Sequence, residues 1–129
     1  MTQECHLFVY GSLRPGSGHA MSRWLAARAA HCGPAWVPEA LLYRVSWYPA
    51  VAPGPGRVRG DLFRLHDPVE ALPGLDDFEG IRSSAADEYE RRLTALERDD
   101  GRRVMAWVYW YRLPVESLPL VAGGDWLPS

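Results

Sequence analysis

Val104-Met105-Ala106-Trp107-Val108-Tyr109-Trp110-Tyr111 is apolar on both faces of an extended chain. Such a run reads as a central strand covered on two sides rather than as a half-solvated one. Asp99-Asp100-Gly101 precedes it, a turn sequence that joins Tyr89–Arg98 to Arg103–Leu113 as a hairpin. Upstream, Val58, Gly60 and Leu62 alternate with Arg57, Arg59 and Asp61, so Val58–Leu65 is expected to be a strand with one solvated face. Ala35–Val45 also has strand character, with Pro38 demanding an edge or a bulge. His6–Tyr10 is a short buried strand ended by Gly11, and Arg14–Gly18 is a loop. Met21, Trp24, Leu25 and Arg28 recur at helical spacing, which predicts a helix over Ala20–His31 stopped by Gly33. Asp67-Pro68 starts a second helix, expected to break at Pro73-Gly74 and to resume as a short turn, Leu75–Phe78, ending at Gly80. Ser46–Gly56, with Trp47-Tyr48-Pro49 and its Pro-Gly repeats, and Ile81–Glu88 are expected loops. Five or six mostly antiparallel strands with two short helices outside them predict an α+β fold, a small mixed β-barrel formed as one domain over residues 1–129.

A chain of 129 residues can bury a core without disulfides or metal. Its 47% hydrophobic and 23% charged residues are ordinary for a globular protein, and a net charge of −2 gives no field that would draw it to nucleic acid or an anionic membrane. All 14 basic residues are arginine and Ile81 is the sole isoleucine, a bias that fits a GC-rich bacterial genome. Cys5 and Cys32 lack a C-x-x-C spacing and read as free thiols. No run approaches the roughly 18–20 apolar residues of a membrane span, and no secretory leader is visible, so a cytoplasmic protein is expected. His6, His19, His31 and His66 share no ligand spacing, which argues against a metal site. The aromatic run 107–111 has no interleaved basic residues and is no base-stacking platform.

Two segments carry chemistry. Tyr10-Gly11-Ser12-Leu13 follows a strand and precedes a helix, without the glycine spacing of a dinucleotide fingerprint or the Gly-Lys-Ser/Thr of a nucleotide loop. It is either a plain connection or a cradle whose backbone amides, at the turn and at the following helix start, hold a carboxylate, with the Ser12 hydroxyl adding a donor. Gly11 is expected where a side chain would block approach to a ligand or demand an unfavourable dihedral. Glu79 lies between Phe78 and Gly80 at a helix end. It is either a solvated charge or a carboxyl whose pKa is raised by apolar neighbours and the negative end of the helix dipole, as a base working near neutrality needs. Asp76 and Asp77 read as turn caps, and Arg91 and Arg92 as surface charges of which one can point inward.

Phe8-Val9-Tyr10-Gly11-Ser12-Leu13, Tyr48-Pro49, Val58-Arg59-Gly60-Asp61-Leu62-Phe63, Leu75-Asp76-Asp77-Phe78-Glu79-Gly80 and Tyr89-Glu90-Arg91 occur in that order. Their succession, from about residue 6 to 112, resembles the gamma-glutamylcyclotransferase-like family, including its gamma-glutamylamine cyclotransferase branch. The resemblance implies a small mixed barrel, a cofactor-free site, and conversion of gamma-glutamyl amides to 5-oxoproline and an amine. It implies that Tyr10, Gly11, Ser12 and Leu13 bind the glutamyl group and that Glu79 is the acid/base. The stretch from Gly80 to Tyr89 is longer than in the animal amine-specific enzymes, which leaves the amine open. A small molecule is thus the expected partner, with neither nucleic acid nor membrane, and the oligomeric state is not specified. Two other readings stand beside it: an amide hydrolase using Glu79 to activate water, and a non-catalytic ligand-binding module on the same barrel.

Overall fold

The computed structural model describes residues 4–15, 17–84 and 86–126. The elements run β1 (His6–Val9), α1 (Ala20–Ala26), β2 (Ala29–Arg44), β3 (Pro49–Leu65), α2 (Pro68–Phe78), β4 (Tyr89–Arg98), β5 (Arg103–Tyr111) and a 3-10 turn (Ala122–Gly124). The five strands close into a barrel in the order β1-β3-β2-β4-β5. Every neighbouring pair is antiparallel except β1 and β5, which meet in parallel at Leu7 and Trp107. The expected small mixed barrel with helices outside it is the fold observed.

Closure explains why β5 is apolar on both faces. Side chains alternate across a strand, so a barrel wall sends every second residue inward. Phe8, Leu62, Val108 and Trp110 pack inside with Val37, Leu42, Val58 and Leu96. Their neighbours Leu7, Val9, Phe63 and Tyr109 face outward, where they meet Leu25 of α1 and Ala71, Leu72 and Leu75 of α2. Gly60 lets β3 lie close against β1: a Cβ there would collide with the Val9 carbonyl and the Phe8 ring.

Three expectations are corrected. The helix over Ala20–His31 is shorter, ending at Ala26, because Ala29, Ala30 and His31 pair with Leu65, Arg64 and Phe63 of β3. Ladder hydrogen bonds to a buried strand outweigh a weak helical spacing. Ser46–Gly56 is not a loop throughout, since β3 begins at Pro49. Pro53 still opposes Ala40 and Arg57 opposes Pro38, leaving Gly54, Pro55 and Gly56 against Glu39 alone. The breakers are tolerated because they occupy a bulge, and Pro38 adjoins it as expected. Glu39 itself takes a positive φ of 53°. Finally, Pro73 does not divide the second helix, which runs unbroken from Pro68 to Phe78 with Asp67 capping the Glu70 N–H.

Candidate active site

At the end of β1 the chain turns through 10–14 beside the start of β3, the start of β4 and the C-terminus of α2. These elements surround a cavity of about 330 Å³. Its wall includes Tyr10, Gly11, Ser12, Leu13 and Glu79, so the two segments singled out from sequence lie against one space. Trp47, Tyr48, Pro49, Phe78, Glu88, Tyr89 and Tyr109 complete most of the remaining lining.

The turn is held from both sides. The Arg14 N–H donates to the Gly11 carbonyl at 3.0 Å, and the Ser17 hydroxyl donates to the Ser12 carbonyl at 2.5 Å. The Arg14 guanidinium binds Asp61 of β3 at 2.8 Å and Asp125 of the C-terminal segment at 2.5 Å. Among the described residues the N–H groups of Ser12 and Leu13 meet no protein acceptor. The helix start does not share in this arrangement. α1 begins only at Ala20, has 7 residues, and its Met21 N–H is taken by the His19 ring at 3.0 Å. Of the two reasons considered for Gly11 the dihedral does not apply, and crowding by Pro49 supplies another. The Gly11 φ is not positive, and a Cβ would lie 2.9 Å from two atoms of the Pro49 ring. That crowding matters to the cavity, because the Pro49 carbonyl accepts from the Tyr89 hydroxyl at 2.6 Å.

Glu79 is the C-cap of α2. Beyond it Gly80 adopts φ +75°, its N–H bonding Asp77 at 3.1 Å while the Ile81 N–H bonds Asp76 at 3.0 Å. This pair of reversed bonds is a Schellman ending, and it fixes the direction in which the carboxyl leaves the helix. The side chain keeps some exposure to the cavity but is otherwise surrounded by protein. Among the described residues nothing donates a hydrogen bond to it. Desolvation first, and the nearby Asp76 charge second, push its pKa from 4.5 to about 8. Burial therefore acts on Glu79 as its apolar neighbours imply.

Asp76 is more than a turn cap. Its carboxylate receives Arg91 in a fork, at 2.8 and 3.2 Å, and the Tyr109 hydroxyl at 2.7 Å. Arg91 is accordingly the less exposed member of the arginine pair, on the barrel face that α2 covers, with its guanidinium also 4.4 Å above the Trp107 ring. Arg92 stacks instead on Trp110, at 5.3 Å. Tyr109 turns out to be both core aromatic and cavity wall, and the buried Tyr10 hydroxyl donates to its carbonyl at 2.5 Å. Tyr10 is held well above its ordinary pKa by burial and then by Glu79, so it remains a neutral phenol.

Tyr48, Glu88 and Tyr89 were not identified as site residues from their chemistry. The Tyr48 hydroxyl donates to the two Glu88 oxygens, at 3.0 and 2.8 Å, and its pKa is pushed to about 12 by burial and then by that carboxylate. The available signal was their position: Tyr48 sits in an aromatic cluster just before a strand, and Tyr89 opens β4. Among the described residues no group of three or more His, Cys, Asp or Glu side chains is arranged to hold a metal ion. Among the described residues no helix is long and apolar enough to cross a membrane.

Residues 7–128 match the family model described as "Gamma-glutamyl cyclotransferase, AIG2-like". The chain is 34% identical over 121 residues to the gamma-glutamylcyclotransferase family protein YtfP of Escherichia coli K12, covering 94% of this chain and 95% of the relative. The solution structure of Escherichia coli ytfP superposes with a TM-score of 0.66 over 95% of this chain and 96% of that one. An AIG2-like protein from Mus musculus has the same fold, with a TM-score of 0.72 at 23% identity over 93% and 87% of the two chains. The family match spans the turn, the Glu79 helix and the barrel that joins them, and the chain belongs to the AIG2-like gamma-glutamyl cyclotransferase family.

Proposed function

We propose that the protein converts a gamma-glutamyl amide to 5-oxoproline and a free amine, with Glu79 as the proton acceptor and donor. The observation that carries this reading is a carboxyl with no hydrogen-bond partner among the described residues, in a cavity wall and with a pKa of about 8. In the substrate the free α-amine lies within reach of its own γ-carbonyl, so folding the chain brings nucleophile and electrophile together. Such intramolecular attacks reach effective molarities of about 10⁵–10⁸ M. The enzyme's remaining task is proton transfer.

The α-amine of a gamma-glutamyl amide sits beside its own free carboxylate, which keeps its pKa at about 9, so it arrives as the ammonium. Taking its proton with an ordinary carboxylate would be uphill by roughly 6 kcal/mol. With Glu79 at about 8 the transfer costs only about 1.4 kcal/mol. Glu79 takes one proton from the α-ammonium, and the freed nitrogen attacks the γ-carbonyl carbon. The resulting tetrahedral centre collapses as the bond to the departing nitrogen breaks, the electron pair going to that nitrogen with a proton from Glu79. The ring nitrogen sheds its surplus proton, which the released amine takes up, so one ammonium is consumed and one is formed. The Ser12 and Leu13 amides are suited to the α-carboxylate or to the developing oxyanion.

The test is product analysis on gamma-glutamyl amides with free and with acylated α-amines, using wild type and Glu79→Gln. Cyclisation requires 5-oxoproline from the free amides, none from the acylated ones, and at least a roughly 10²-fold loss in kcat for the variant. Glutamate as product, with cleavage of both substrates, would mean that water rather than the α-amine attacks.

A further inference from the structure

We propose that the mouth of the cavity recognises a positively charged group on the departing half of the substrate, an aliphatic ammonium held by Glu88 against Trp47 and Tyr48. This rests on the cyclotransferase reading and names the substrate class within it. The cavity wall contains two carboxyl groups, Glu79 and Glu88, and no arginine. They reach the cavity from different elements: Glu79 leaves the end of α2, whereas Glu88 precedes β4 and is held by the Tyr48 hydroxyl. Glu79, near the buried Tyr10 and the turn, serves the glutamyl end. Glu88 is left for what extends beyond it.

The surroundings of Glu88 fit a cation. Tyr48 fixes the carboxylate by donating to both oxygens, yet one hydroxyl leaves most of its acceptor capacity open. Among the described residues no arginine or histidine forms an ion pair with it, and Arg112 donates instead to the Ser84 and Asp87 carbonyls. Trp47 is 63% exposed, an unusual state for so large an apolar ring. It is nevertheless ordered by its neighbours, edge-on to Tyr48 at 5.1 Å and stacked on His19 at 6.0 Å. A carboxylate fixed by a tyrosine hydroxyl, in the same cavity wall as an exposed tryptophan ring, is the chemistry that binds an ammonium, through charge and cation–π attraction together. A leaving group ending in a carboxylate would meet Glu88 with like charge.

The experiment compares three amides of similar length: mono-gamma-glutamyl-diaminobutane, gamma-glutamyl-pentylamide and gamma-glutamyl-aminobutanoate. Wild type should prefer the ammonium-bearing amide over the neutral one by on the order of tenfold in kcat/KM, and over the carboxylate by more. Glu88→Gln keeps an acceptor for Tyr48, and should bring the ammonium-to-neutral ratio toward one. Trp47→Ala should lower the same ratio. A wild-type ratio near one, or an equal loss on all three amides in Glu88→Gln, overturns the proposal; the second result would give Glu88 to the α-ammonium common to all of them. Release of 5-oxoproline from none of them would defeat the cyclotransferase reading instead. The corresponding glutaryl amides, which cannot cyclise, then decide by calorimetry. Equal affinity for the ammonium and neutral forms would overturn the proposal independently of turnover.

Discussion

Lowering the pH from about 8 to about 6 should slow the enzyme steeply at subsaturating substrate. The reaction needs one proton shared between Glu79 and the substrate α-amine, whichever of the two carries it on encounter. The rate therefore follows the fraction of ionised Glu79 multiplied by the fraction of ammonium substrate. With Glu79 at about 8 and the amine at about 9, roughly half of Glu79 is ionised and roughly nine-tenths of the substrate is ammonium at pH 8. Near pH 6 the substrate is almost wholly ammonium, but only about one enzyme in a hundred has an ionised Glu79, so kcat/KM falls by about 45-fold. Above about pH 9 it falls again as the substrate loses its proton, giving a bell centred between about 8 and 9. A carboxylate left at 4.5 would give an almost flat profile from pH 6 to pH 8, because neither group would titrate there. The assay is the initial rate of 5-oxoproline release in constant-ionic-strength buffers. A flat profile, or a faster rate at pH 6, refutes the claim that a buried Glu79 is the acid/base.

Glu79→Gln should stabilise the protein in alkali. The folded-state pKa lies above the unfolded one, so the stability linked to this carboxyl is full below about 4.5 and is lost as pH rises through about 8; urea unfolding near pH 9 should favour the variant by up to roughly 4–5 kcal/mol, shrinking near pH 5. Asp76→Asn removes the charge that helps raise Glu79 and leaves Arg91 without its fork, so the acid limb of the rate profile should move to lower pH. The same variant should lose about 1.5–3 kcal/mol in denaturant titration through the broken charged hydrogen bonds. Gly80→Ala forces a Cβ into φ +75° and should cost roughly 1–2 kcal/mol by unfolding while disturbing the exit of Glu79 from its helix, seen as a lowered kcat. Gly60→Ala should prevent folding or lower Tm the most of these, since its Cβ meets the Val9 backbone as well as the Phe8 ring.

How much of this was legible in sequence depends on whether the signal is local. The alternation of β3, the two-faced apolarity of β5 and the Gly101 turn report single-strand environments, and they led to the barrel. The length of α1 did not follow, because Ala29–His31 is decided by what β3 offers across the sheet rather than by its own spacing. Pro53 to Gly56 misled for a similar reason, as a bulge opposite Glu39 has the composition of a loop. In the site, Glu79 and the turn were visible because glycine marks both. Its brace needed register. The hairpin sets Arg91 opposite Tyr109 and Tyr89 opposite Tyr111, and only that pairing lets an arginine and a tyrosine from adjacent strands reach the same Asp76. The hairpin itself was evident from Asp99-Asp100-Gly101, so the convergence of Arg91 and Tyr109 was a consequence available but not drawn.

Asp76 and Glu79 show how one helix end can hold two carboxyl groups in different roles. Both leave the last turn of α2, and both lie near the hydroxyl-bearing wall of the barrel. Asp76 meets two donors, Arg91 and Tyr109, which compensate its burial and fix its position. Glu79, three residues on, emerges past the Schellman ending and accepts no hydrogen bond from the described residues, so none offsets its desolvation. Asp76 keeps its influence on its neighbour even while paired with Arg91: after desolvation, its charge is the second cause that raises Glu79. The local chain geometry, rather than residue type, separates a fixed anchor from a group able to gain and lose a proton near neutrality, as expected where two environments drive two titratable groups apart.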